Sequence, residues 1–142
     1  SIYFPADLVA YLQTGTASGN GLPAYATGEY VKIKLASDAN AVTAQAGRDA
    51  SSFYWKAADQ FQSALNDNAA YVPYLVAQSI SEQLDEAYVA YSLGMDREAY
   101  ADLEENANAK LYLYSEALTN YAKAQLYAQM VITTLNSLSA TP

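Results

Sequence analysis

The spacing of apolar residues divides the chain into a short irregular part and a long helical part. From Ser37 onward, apolar residues recur at steps of three and four, which places them on one face of a helix. Ser37 or Asp38 can cap this helix, and the polar run at residues 66–68 can end it. The apolar positions of this first long helix are Ala39, Val42, Ala46, Ala50, Phe53, Ala57, Phe61 and Ala64.

Two further helices follow in the pattern. A stripe of apolar residues runs from Tyr71 to Tyr91, and Gly94 is expected to end that helix in a left-handed conformation. Asp96 is then expected to cap a last helix that continues to about Leu138. Residues seven apart form three apolar rows on this last helix, and such rows are typical of a helical bundle. The rows are Leu111, Leu118, Gln125, Ile132; Tyr114, Tyr121, Ala128, Leu135; and Ala117, Ala124, Val131, Leu138.

The first 36 residues have a different pattern. Residues 5–13, PADLVAYLQ, predict a short helix with Pro5 in its first turn, and a glycine-rich loop follows. Residues 29–35 alternate between apolar and polar side chains, which predicts one short strand or hairpin. A single strand is marginally stable, so it needs a partner from residues 22–27 or from a neighbouring chain. We therefore expect a mainly α protein: an irregular N-terminal arm at 1–36 and an antiparallel bundle of three long helices at 37–142.

Charge and composition change this picture in one respect. Charged residues make up 15% of the chain, against roughly 25% in a typical soluble protein. A subunit that buries much of its surface against copies of itself can have such a composition, because charges are costly to desolvate. The net charge is −8, and the acids are concentrated after residue 56. We expect no direct nucleic-acid binding, which requires a basic patch.

The chain contains no cysteine and no histidine. Disulfides, thiolate nucleophiles and the commonest metal and haem ligands are therefore excluded. No phosphate-cradling glycine loop or nucleophile motif occurs. We expect no enzymatic activity, no catalytic or metal-binding residues and no cofactor. The chain has no run of 18 or more apolar residues, so we expect no membrane span. Because the chain opens at Ser1, we expect that an initiator Met or a leader was removed.

Five acids near the predicted turn at Gly94 are the best candidate for a divalent cation. They are Glu82, Asp85, Glu86, Asp102 and Glu105. If two helices packed antiparallel around Gly94, these carboxylates would approach one another, and Ca²⁺ or Mg²⁺ prefers oxygen ligands. The chain has no calcium-loop motif, however, and acidic helix faces are usually solvated. The pattern favours a solvated face and leaves a cation site open.

Fourteen tyrosines in 142 residues are the most unusual feature of the composition. The heptad rows predict that Tyr114 and Tyr121 are core residues, because aromatic rows at helical spacing usually pack. Tyr112 lies nearly opposite that row, and Tyr127 lies away from it. Tyrosine is enriched where protein surfaces meet. We predict interface roles for Tyr25, Tyr30, Tyr112 and Tyr127.

These expectations favour a non-enzymatic structural subunit. Copies of the chain would assemble into a filament, sheath or virion shell through tyrosine-rich interfaces and the N-terminal arm, in an extracellular or virion setting. The alternative is a helical adaptor module that presents a bundle groove to another protein.

Overall fold

The computed structural model describes residues 24–68 and 72–139, which form three long helices. Helix α1 is Ala24–Asn68, α2 is Tyr74–Leu103 and α3 is Ala107–Ser139. Ala39, in the N-terminal half of α1, packs with Ala101 near the C-terminal end of α2 and with Tyr114 near the N-terminal end of α3. Helix α2 therefore runs antiparallel to α1 and α3. The predicted helical bundle is thus confirmed. Within these residues, none of the helices combines the length and apolarity that a membrane crossing requires.

Buried residues recur every seven positions on all three helices, the spacing of coiled-coil-like packing. Most of them are small, so the helices can approach one another closely. On α3, the predicted rows that contain Tyr114 and Ala117 are buried. On α1, the predicted positions Ala50, Ala57 and Ala64 are buried, whereas Val42 is 41% exposed and its neighbour Thr43 takes the buried position. The row on α1 is Ala36, Thr43, Ala50, Ala57 and Ala64; the row on α2 is Ile80, Ala87, Gly94 and Ala101.

The helix end predicted at Gly94 is wrong, and so is the cap predicted at Asp96. Helix α2 continues through both residues to Leu103, and Gly94 is buried inside it. A Cβ atom at position 94 would come within 2.5 Å of Cδ1 and Cε1 of Tyr121. This glycine therefore makes room for a ring on another helix and does not end its own.

The turn between α2 and α3 lies ten residues beyond the predicted one. Glu104 is extended, with φ −75° and ψ 129°, and ends α2. The side-chain oxygen of Asn106 accepts a 3.0 Å hydrogen bond from the amide of Ala109, which makes Asn106 the N-cap of α3. The ammonium of Lys110 donates to the carbonyls of Asp102 and Glu104. One amide at the start of α3 and two carbonyls near the end of α2 are thereby paired.

Helix α1 extends well beyond the bundle at its N-terminal end. Ala36, Ser37 and Asn40 line a hollow together with Glu104 and Lys110, so this part of α1 is level with the α2–α3 turn. Residues 24–35 precede that level and would span about 18 Å at 1.5 Å per residue. We call this segment the overhang.

The overhang includes residues 29–35, for which the alternating pattern predicts a strand. In the structure they belong to α1. A helix pairs its backbone groups within itself, whereas a lone strand needs a neighbouring strand, and residues 24–68 and 72–139 contain none. Helix α1 is continuous through residue 36, and the division of the chain into an arm at 1–36 and a bundle at 37–142 stays a prediction. The short helix predicted at 5–13 and the glycine-rich loop lie outside the described residues.

Candidate functional site

A groove between α1 and α2 carries a mixture of polar and aromatic side chains. Helix α3 packs along both other helices, whereas α1 and α2 contact each other much less. The space left between them is about 520 Å³. Its walls include Gly47, Ser51 and Ser52 on α1 and Tyr91 and Met95 on α2, and Tyr121 of α3 forms its floor.

The ring of Tyr121 lies between two glycines on facing helices. A Cβ atom at Gly47 would meet Cζ of this ring at 3.0 Å, and one at Gly94 would meet Cδ1 at 2.5 Å. The side chain is 2% exposed, and its hydroxyl donates a 2.6 Å hydrogen bond to Glu98. Glycines at both positions let a large phenol cross the helix interface and reach a carboxylate at the groove wall.

A second phenol repeats this arrangement one heptad earlier on α3. The hydroxyl of Tyr114, a residue 1% exposed, donates a 2.5 Å hydrogen bond to Asp102. Burial raises the pKa of both phenols far above the ordinary tyrosine value, and the carboxylate beside each raises it further. Both tyrosines therefore keep their protons at neutral and moderately alkaline pH. They act as hydrogen-bond donors that join α3 to α2.

An aromatic cluster lies one helical turn beyond the groove residues Ser51 and Tyr91. Tyr54 and Trp55 on α1 contact each other with ring centroids 5.2 Å apart, and Tyr54 lies 5.6 Å from Tyr88 of α2. Trp55 is 57% exposed and Tyr88 is 50% exposed. Large aromatic side chains beside a groove are typical of surfaces that bind other proteins.

The four tyrosines predicted as interface residues do not converge on this groove. Tyr112 is 65% exposed on α3. Tyr127 lies 15 residues further along the same helix, roughly 22 Å away at 1.5 Å per residue, and is partly covered, with the ammonium of Lys123 6.0 Å from its ring centroid. Tyr25 and Tyr30 belong to the overhang, where only the backbone is described. Their interface role stays a prediction.

The five acids considered for a cation are not brought together. Because α2 does not turn at Gly94, Glu86 and Asp102 lie on one continuous helix, about 24 Å apart along its axis. Asp102 instead accepts the hydrogen bond from Tyr114. Across residues 24–68 and 72–139, no group of three or more acids is arranged to hold a metal ion.

The groove is the feature that the sequence pattern missed. A glycine within a helical pattern can indicate the end of a helix, or it can allow a neighbouring helix to pack closely against it. The sequence pattern alone does not distinguish these two roles. The pairing of Gly47 and Gly94 with one ring requires the three-dimensional alignment of three helices. Two glycines at core-like positions on neighbouring helices were the available signal.

Comparison with known proteins gives no relative from which a role could be inferred. The chain matches no protein-family model, no curated protein and no solved structure at a significant level.

Proposed function

We propose that this protein is a non-enzymatic structural subunit that assembles with copies of itself into a filament, sheath or virion shell, in an extracellular or virion setting. Tyrosine-rich surfaces and the N-terminal arm make the contacts. Tyr25, Tyr30, Tyr112 and Tyr127 are the proposed contact residues, and no cofactor takes part.

The observation that carries this proposal is the exposure of large apolar side chains on all three helices. Trp55 of α1 is 57% exposed, Leu103 of α2 is 82% exposed and Tyr112 of α3 is 65% exposed. Leu126, two heptads after Tyr112, is exposed as well. Single exposed apolar residues are ordinary. Their presence on several faces supports a subunit with several neighbours, because a polymer needs at least two contact surfaces on each copy.

Electron microscopy of the purified full chain, with light scattering on the same sample, tests the proposal. We expect regular polymers. The double variant Tyr112→Ala, Tyr127→Ala should lose them while its helicity, measured by circular dichroism, is retained. Ala122→Ser, an exposed change on another side of α3, is the matched control and should still assemble. A particle that stays monomeric over a wide range of concentration would contradict the proposal.

The groove between α1 and α2 favours a second candidate function, a helical adaptor that binds a segment of another protein. The aromatic cluster beyond it and the flexible side chain of Met95 suit such a role. An adaptor predicts a monomer with one binding surface, so the same microscopy and light scattering separate the two functions.

A further inference from the structure

We propose that residues 5–13 of one copy bind, as a short helix, in the groove between α1 and α2 of a neighbouring copy. This inference rests on the proposed self-assembly and names the contact that would produce it. The groove could accommodate a fourth helix, because α1 and α2 contact each other much less than each contacts α3, and Tyr121 of α3 forms the floor between them. Four-helix bundles fill such a position with a helix that packs against its two neighbours and contributes to the shared core.

The dimensions of the groove and of the segment agree. The α1 wall extends from Ala44 to Ser52, about 12 Å along the helix axis, and residues 5–13 would form a helix of about 14 Å at 1.5 Å per residue. Within that segment, Leu8 and Leu12 are four residues apart and so share one helical face. Met95 and Tyr91 offer this face an apolar wall opposite the serines of α1.

The charges also agree. Asp7 is the one charged side chain in residues 1–23. Arg48 lies at the rim of the groove, where its guanidinium donates a 2.8 Å hydrogen bond to the side-chain oxygen of the exposed Gln45. The carboxylate of Glu98, on the opposite wall, already accepts the hydroxyl of Tyr121. An entering acid therefore meets a guanidinium that is held only at the surface, and can form the charge-assisted pair that guanidinium and carboxylate favour.

Distance indicates that the segment comes from another copy. Ala24, where α1 begins, lies 20 residues before Ala44, the near edge of the groove, and this separation is about 30 Å along α1. Residues 14–23 connect the segment to α1. Ten residues span at most about 35 Å when fully extended, and about 17 Å on average as a random coil. Return to the groove of the same chain would need an almost fully stretched linker, which a groove on a neighbouring copy would not require.

Such a contact joins two different surfaces, an arm on one copy and a groove on the next. Contacts of this kind leave a free arm and a free groove after every addition, so they continue into an open polymer unless the ring closes. The inference thus gives the proposed polymer one repeating joint, in addition to the contacts proposed for Tyr112 and Tyr127.

Cross-linking between introduced cysteines tests this joint in the full chain, which has no native thiol. One batch carries Leu12→Cys, and a second batch carries Ser52→Cys in the groove. The two batches are mixed under assembly conditions and treated with a short bis-maleimide, and the bridged peptides are identified by mass spectrometry. Ser63→Cys, an exposed serine further along α1, replaces Ser52→Cys in the matched control.

We expect bridges between positions 12 and 52 of different copies, at a yield about tenfold above the control, because docking raises the effective concentration of the two thiols. A chain carrying both Leu12→Cys and Ser52→Cys that bridges within itself, as a monomer, would overturn donation to a neighbour. Polymers without any bridge would overturn the joint and leave self-assembly standing. No polymers and no bridges would overturn both proposals.

Discussion

At the scale of single residues, Tyr121 and Gly94 form the most demanding contact of the core. The ring fills the place that a side chain at position 94 would occupy, and a Cβ there would come within 2.5 Å of two ring atoms. Gly47 faces the same ring with more room, since a Cβ at that position would be 3.0 Å from Cζ and 3.1 Å from the hydroxyl oxygen. The two glycines are therefore expected to respond differently to the same substitution.

Gly94→Ala should destabilise the bundle by up to about 2 kcal/mol. Overpacking a buried site costs about 1–3 kcal/mol, whereas alanine in a helix gains about 1 kcal/mol over glycine. Gly47→Ala, the matched control, should be close to neutral, because a smaller displacement of the ring accommodates it. Urea unfolding followed by circular dichroism measures both. A gain in stability for Gly94→Ala would show that the ring moves away at little cost.

The burial of a residue can be predicted from the sequence where it follows from a heptad row. It cannot be predicted where it depends on a contact with a residue far away in the chain. Tyr114 and Tyr121 were correctly predicted as core residues from their spacing. The helix end predicted at Gly94 is wrong because the neighbouring sequence does not distinguish a glycine that ends a helix from one that allows close helix packing. The ring that decides between them lies 27 positions later in the chain, and its location depends on the alignment of α2 with α3.

At the scale of helices, Asn106 sets the boundary between α2 and α3. Its side chain caps the first turn of α3, and its own amide donates a 3.0 Å hydrogen bond to the carboxylate of Glu104. The sequence pattern favours a break at Gly94, because glycine is the residue that most commonly follows a helix end. Local side-chain capping, which is visible only once the helix axis is known, settles the position.

Asn106→Ala should lower the free energy of unfolding by about 1 kcal/mol, the usual cost of removing an N-cap. Asn108→Ala is the matched control, because this residue lies inside the first turn and alanine is the better helix former there. Chemical denaturation of both variants gives the comparison. Equal stability of the two variants would mean that the turn is held by its other hydrogen bonds, including those of Lys110.

At the scale of the whole molecule, two buried phenols are expected to make the free energy of unfolding depend on pH in the alkaline range. The pKa of Tyr114 and of Tyr121 is raised in the folded protein, chiefly by burial, whereas a tyrosine in an unfolded chain ionises near pH 10. Below that pH both states keep the protons and stability is unaffected. Above it the unfolded state loses protons that the folded state retains, so the unfolded state becomes more favourable.

The free energy of unfolding should therefore be nearly constant from pH 7 to pH 9 and fall above about pH 10. Each such phenol contributes a slope of about 1.4 kcal/mol per pH unit. Tyr121→Phe should remove one contribution from this slope and, at neutral pH, cost about 1.5–3 kcal/mol for the lost hydrogen bond to a charged group. Tyr112→Phe, which removes an exposed phenol, is the matched control. Denaturation at a series of pH values measures the slopes, and an unchanged slope for Tyr121→Phe would contradict the expectation.

The 12-residue overhang gives the subunit two unlike ends. One end is formed by the N-terminal turns of α1, and at the other end Val72 and Leu135 belong to the bundle core while Tyr74 and Leu75 are exposed. A polymer whose subunits all have the same orientation is polar, with two structurally different ends. Its two tips would then offer different surfaces to an incoming copy, so they would elongate at different rates and could each be blocked by a different inhibitor.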